Sequence, residues 1–136
     1  MKAAKPSPVQ LFIYGTLLTG TRSPRLNRAM ARLGARTRPA MIRARLYGLG
    51  AYPGAVPSPT AGDRVYGRLV SLPNAALLRQ LDRYEDYLPT RPADSEFVRI
   101  ATEAISLSDR RPIRCWVYFY NGDVAGRPRR QARVRL

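Results

Sequence analysis

The order of the periodic segments constrains this chain more than any one of them. Val9–Tyr14 is a short apolar run with β-branched and aromatic residues, stopped by Gly15, and has the pattern of a buried strand. Ser23-Pro24 then reads as a helix start, with serine as N-cap and proline at the first helical position. Leu26, Met30 and Leu33 follow at helical spacing, and Gly34 ends the run. Arg38–Leu49 alternates like a strand with one exposed face, and Gly48–Gly54 is a turn-rich connection. Asp63–Leu72 is a further strand with Val65, Gly67 and Leu69 on one side. Gly67 in its middle predicts a bend or a close backbone approach. Pro73-Asn74 opens a helix that ends near Glu85. Phe97–Ile105 and Ile113–Tyr120 are the last strands, and Arg91–Ser95 is assigned to no element. This order has no βαβ alternation, which argues against a doubly wound parallel sheet. The expected fold class is α+β, a mixed sheet curled into a small β-barrel with one or two flanking helices.

The 136 residues suit one domain with a real core. The expected division is a flexible arm over residues 1–8, the folded domain over 9–122 and a basic tail over 123–136. No apolar run approaches the roughly 18 residues of a membrane span. The first residues carry charge without an apolar h-region, so they are not read as a signal peptide, and a cytoplasmic location is expected. Cys115 is the single cysteine and cannot form an internal disulfide; its strand context predicts a buried, inert thiol. With no histidine, the usual zinc ligand sets are absent and a Ser-His-Asp or Cys-His arrangement is impossible. The net charge of +15 raises the question of an anionic partner. Of the 24 basic residues all but Lys2 and Lys5 are arginine, a skew that a GC-rich coding bias also produces. The arginines are spread along the chain, with the densest run at Arg127–Arg135, so composition weighs against a nucleic-acid role.

Two segments carry candidate chemistry. At ~100° per residue, Leu77, Leu78, Leu81 and Tyr84 form one apolar arc, and Glu85 falls inside it. A carboxylate there loses water, which raises its pKa and suits acid/base work near neutrality. The alternative is that the helix frays at Glu85 and the side chain turns to solvent. Asp82 lies at the edge of the arc, as a helix-end cap or a partner for Arg79 or Arg83, and Asp86 points away. The other segment is Leu11–Leu18, a buried strand running into a glycine and a hydroxyl residue. Such a turn can aim successive N–H groups at an anion, although many strand-Gly-Thr turns are purely structural.

Phe12-Ile13-Tyr14-Gly15-Thr16-Leu17 resembles the "YGTL" strand-loop of the γ-glutamylcyclotransferase-like proteins, with their AIG2-like and γ-glutamylamine cyclotransferase branches. Leu46–Gly54 is similar to that family's "LYxLGxYPG" stretch, and Val65-Tyr66-Gly67-Arg68-Leu69 to its "V-x-G-x-L/V" strand. Leu81-Asp82-Arg83-Tyr84-Glu85 matches its "LDxxE" helix end. Phe97-Val98-Arg99 fills the aromatic-x-Arg slot, with phenylalanine where relatives often carry tyrosine. Val117–Tyr120 matches the closing "VYxY" strand. The ordered set spans about residues 10–120.

The resemblance implies a small mixed barrel with a cavity at its open end. It implies that Tyr14, Gly15, Thr16 and Leu17 bind the γ-glutamyl group, that Tyr118 lines the pocket and that Glu85 is the general acid/base. The family reaction is intramolecular: the α-amino group attacks the side-chain carbonyl, an amine or amino acid leaves, and 5-oxoproline forms. This needs no metal and no cofactor, and the partner is a small γ-glutamyl compound. The alternatives are a non-catalytic ligand-binding member of the same fold, or an arginine-rich nucleic-acid binder. Tyr14 and Tyr118 also read as core aromatics with satisfied hydroxyls. Arg99 is expected to pair with a carboxylate rather than touch substrate.

Overall fold

A computed structural model describes residues 9–14, 28, 31, 37–50, 52–85, 87 and 90–130. Eight strands and a helix are named in chain order: β1 (Gln10–Ile13), β2 (Arg38–Ile42), β3 (Ala44–Gly48), β4 (Pro53–Pro57), β5 (Val65–Ser71), α1 (Ala75–Tyr84), β6 (Phe97–Ser106), β7 (Pro112–Tyr120) and β8 (Arg129–Arg130). The expected helix from Ser23 to Gly34 lies outside the described residues apart from Arg28 and Ala31, both helical. Arg91–Ser95 contains a short 3₁₀ turn, Pro92–Asp94.

Five strands close into a mixed barrel in the order β1-β5-β2-β6-β7. Neighbours are antiparallel except β1 and β7, which run parallel with Leu11 opposite Trp116. The expected α+β small barrel is therefore present. Alternation along the strands sorts their side chains into two cores. Phe12, Tyr14, Val65, Leu69, Cys115, Val117 and Phe119 fill the interior. Leu11, Ile13, Val70 and Tyr118 point outward and meet Leu77, Leu78 and Leu81 of α1. β1 is thus buried on both faces. Each buried leucine of α1 contributes about 1.5–3 kcal/mol of apolar burial, which holds the helix on the barrel.

The expected single strand Arg38–Leu49 is two strands. The chain bends at exposed Arg43, between buried Ile42 and Ala44, and leaves the barrel for a second sheet, β4-β3-β8. Ala44, Leu46 and Ala55 join the interior core, so the small sheet packs against the barrel. The β3–β4 connection turns through Gly50 at φ +104°, a conformation that favours glycine. Gly67 meets its expectation of a close approach, since a Cβ there would run into the Ile13 carbonyl oxygen and the Phe12 ring. At the basic C-terminal end, Arg129 and Arg130 pair with Tyr47 and Leu46 of β3. Asp63 gathers this edge: it accepts from Arg45 at 2.6 Å, Ser58 at 2.8 Å and Arg129 at 3.4 Å. No helix among the described residues is long and apolar enough to cross a membrane.

Candidate active site

Asn74 caps α1, its side-chain oxygen accepting from the Leu77 N–H at 3.0 Å. The last helical residue is Tyr84, and Glu85 is the C-cap. Its N–H still reaches the Leu81 carbonyl at 2.9 Å, so the side chain leaves from a hydrogen-bonded last turn. Glu85 is half-buried. The last turn is not frayed at Glu85.

Among the described residues the buried carboxylate is Asp82, at 3% exposure. Its expected roles as a helix-end cap or a partner of Arg79 or Arg83 do not hold. Arg99 of β6 meets it with two hydrogen bonds of 2.7 and 3.1 Å. The Tyr118 hydroxyl of β7 donates to the same carboxylate at 2.6 Å. A wheel drawn for α1 alone misses this because the deciding groups are on the barrel. Arg99 and Tyr118 are register partners across β6 and β7, on the outward face that α1 covers. The guanidinium lies 4.5 Å from the Trp116 ring centroid and 5.6 Å from that of Tyr87. Arg99 therefore pairs with a carboxylate, as expected. Removing one partner of such a buried pair typically costs about 3–5 kcal/mol.

Tyr14 directly follows β1, with its ring in the barrel interior. Its hydroxyl donates to the Tyr118 carbonyl at 2.6 Å and accepts from the Ala55 N–H at 3.0 Å. One phenol thus ties β1, β7 and the small sheet together. Burial pushes the Tyr14 hydroxyl well above the usual phenol range, the Ala55 N–H opposes this, and the Glu85 charge adds to the rise. Tyr118 is raised further, first by burial, then by its donation to Asp82, with Glu85 again contributing. In both tyrosines the Glu85 charge is the smallest of these causes. Gly15, Thr16 and Leu17 continue directly from Tyr14 and lie outside the described residues, as does Asp86.

Cys115 is fully buried in the barrel, and burial pushes its thiol up to about 12, as suits an inert core residue. No group of three or more metal-ligating side chains occurs among the described residues. Sequence reasoning missed the roles of Tyr87, Trp116 and Ala55. The Ala55 contact is a backbone N–H, which leaves no signal in residue type. The rings beside Arg99 come from two separate segments.

A closed mixed barrel, a helix laid on its outer face and an acidic residue at that helix's C-terminus define a class of small α+β barrels. The profile of the family described as "Gamma-glutamyl cyclotransferase, AIG2-like" matches residues 11–134, and the chain belongs to that family. No curated protein sequence matches it. Among solved structures it is similar to an AIG2-like protein from Mus musculus, at 19% identity and a TM-score of 0.65, covering 93% of this chain and 88% of that one. A protein from Arabidopsis thaliana gives 21% identity and a TM-score of 0.61, covering 90% of this chain and 70% of its own. The protein YtfP from Escherichia coli gives 23% and 0.54, covering 91% and 93% respectively. At these identities the likeness is one of fold.

Proposed function

We propose that this protein is a γ-glutamyl cyclotransferase that releases 5-oxoproline from a small γ-glutamyl compound, with Glu85 as general acid/base. The observation that carries the reading is the position of Glu85. It is half-buried at the C-cap of a helix pinned to the barrel, three residues after the Asp82 carboxylate that Arg99 and Tyr118 hold. Tyr14 is also where β1 runs into Gly15-Thr16-Leu17, the segment proposed to bind the γ-glutamyl group.

The chemistry asks little else of the chain. The Glu85 carboxylate takes a proton from the substrate's α-ammonium, and the freed amine attacks the γ-carbonyl carbon. A carbon–nitrogen bond forms, and the carbonyl oxygen becomes an oxyanion. When that intermediate collapses, the original amide bond breaks, Glu85 returns its proton to the leaving nitrogen, and the second proton of the ring nitrogen passes to the departing amine, which leaves as its ammonium. Such proton transfer is worth about 10²–10⁴-fold. Ring closure is already unimolecular, so holding a folded conformer and stabilising the oxyanion supply the rest. In this reading Tyr118 borders the pocket from beneath the helix, and Tyr14 fixes the strand end from which the binding segment departs.

Free γ-glutamyl dipeptides, γ-glutamylamines and glutathione-like compounds are the substrate classes. The +15 net charge favours the anionic ones through their encounter rate. A cytoplasmic location and no nucleic-acid partner belong to the same proposal. The test is 5-oxoproline release from a panel of these compounds by the folded protein. Release from at least one class is expected, and none from any class contradicts the proposal.

A further inference from the structure

Glu85 sits between two residues that converge on one guanidinium. Three positions before it, Asp82 is held by Arg99 through two hydrogen bonds, with Tyr118 donating to the same carboxylate. Two positions after it, the Tyr87 N–H donates to the Asp82 carbonyl at 2.9 Å, and the Tyr87 ring lies against Arg99. Trp116 supports the guanidinium within the same aromatic setting. The arc from Asp82 through Glu85 to Tyr87 is thus closed at both ends over a single barrel residue. The Asp82 and Arg99 side chains are only 5% and 15% exposed.

We infer that Asp82 and Arg99, with the Tyr87 and Trp116 rings, form a clamp that fixes the direction of the Glu85 carboxylate, making Asp82 and Arg99 positioning residues. The inference rests on the proposed role of Glu85 for its consequence in catalysis, while the clamp itself is a matter of geometry. Three features support positioning over simple adhesion. The apolar contacts of Leu77, Leu78 and Leu81 already attach the helix. The clamp lies at the helix's C-terminal end, where unclamped last turns fray. It also engages the backbone on the far side of Glu85, which attachment of the helix does not require. A loosened last turn would displace the carboxylate, and a displacement of about 1 Å can cost ~100-fold in rate.

The test compares Asp82→Asn, Arg99→Gln, the double variant and the milder Tyr87→Leu in the full chain. Amide hydrogen exchange is followed at Glu85 and Tyr87, and 5-oxoproline release is measured on the folded fraction. Either single change at the pair is expected to speed exchange at both amides while β6 and β7 stay protected. kcat should fall about tenfold or more with KM changed less than about threefold. The double variant, which leaves no unpaired buried charge, should recover part of the loss. Tyr87→Leu keeps the ion pair and provides a folded variant with smaller effects in the same direction. Unchanged exchange at Glu85 and Tyr87 in the folded variants overturns the clamp, whatever the activity. Faster exchange with unchanged kcat overturns its positioning role. A wild type that releases no 5-oxoproline refutes the proposed function, and the exchange arm then decides the clamp alone.

Discussion

The Tyr14 hydroxyl donates to the Tyr118 carbonyl at 2.6 Å while accepting from the Ala55 N–H, so one buried phenol spans the barrel seam and the small sheet. Tyr14→Phe removes the acceptor of a buried N–H and keeps the ring. The expected cost is about 1–3 kcal/mol of unfolding free energy. Urea denaturation measures it, and a change below a few tenths of a kcal/mol would show that the tie contributes nothing.

The raised phenols and thiol give the protein an alkaline limit. Tyr14 and Tyr118 hold their protons in the fold above their ordinary value of 10.0, and Cys115 is raised from 9.0 to about 12. The folded state therefore binds more protons than the unfolded one above pH 9.0. Stability from these groups is complete below that pH and is lost as pH rises, first through Cys115 and then through the tyrosines. Unfolding free energy measured from pH 8 to 12 should decline progressively, with a shallower decline in Tyr118→Phe. A flat profile in the wild type contradicts the burial argument.

On the acid side the relevant group is Asp63. Hydrogen bonding from Arg45, then from Ser58, holds its carboxyl below the ordinary value of 3.8. Its contribution is present above that value and is lost as pH falls through the lowered one. Asp63→Asn should remove this part of the acid dependence. It should also loosen β8 from β3, seen as faster hydrogen exchange at Arg129 and Arg130. Unchanged exchange there would mean that backbone pairing alone holds the strand.

Gly67 lies too close to the neighbouring strand to leave space for a side chain. A Cβ would collide with the Ile13 carbonyl oxygen, which belongs to the adjoining strand and cannot step aside as a flexible side-chain tip can. Gly67→Ala should cost about 1–3 kcal/mol, as overpacking does, and lower the melting temperature. A neutral change would place the two strands farther apart than described.

Much of the barrel was legible because its strands alternate. Val65, Gly67 and Leu69 share a face in the sequence and in the core, and the ends of β6 and β7 lie within a residue of expectation. The bend at Arg43 was not legible, because a strand that changes sheets keeps its alternation on both sides of the turn. Arg129 and Arg130 form a strand through backbone pairing with β3, which two charged residues do not advertise. At the site, the acidic helix end stood out as a break in the apolar arc. The arc misjudged which carboxylate is buried: Asp82 is 17 residues from Arg99 and 36 from Tyr118, and no local periodicity reports contacts at that range.

In the proposed reaction Glu85 moves the proton in a cyclisation releasing 5-oxoproline. The most direct measurement compares 5-oxoproline release by the wild type and by Glu85→Gln, which keeps the side chain's size and removes its proton-transfer capacity. The account predicts release by the wild type and a fall of about 10²-fold or more in kcat for the variant, with its melting temperature little changed. Release that persists in folded Glu85→Gln at the wild-type rate would contradict it.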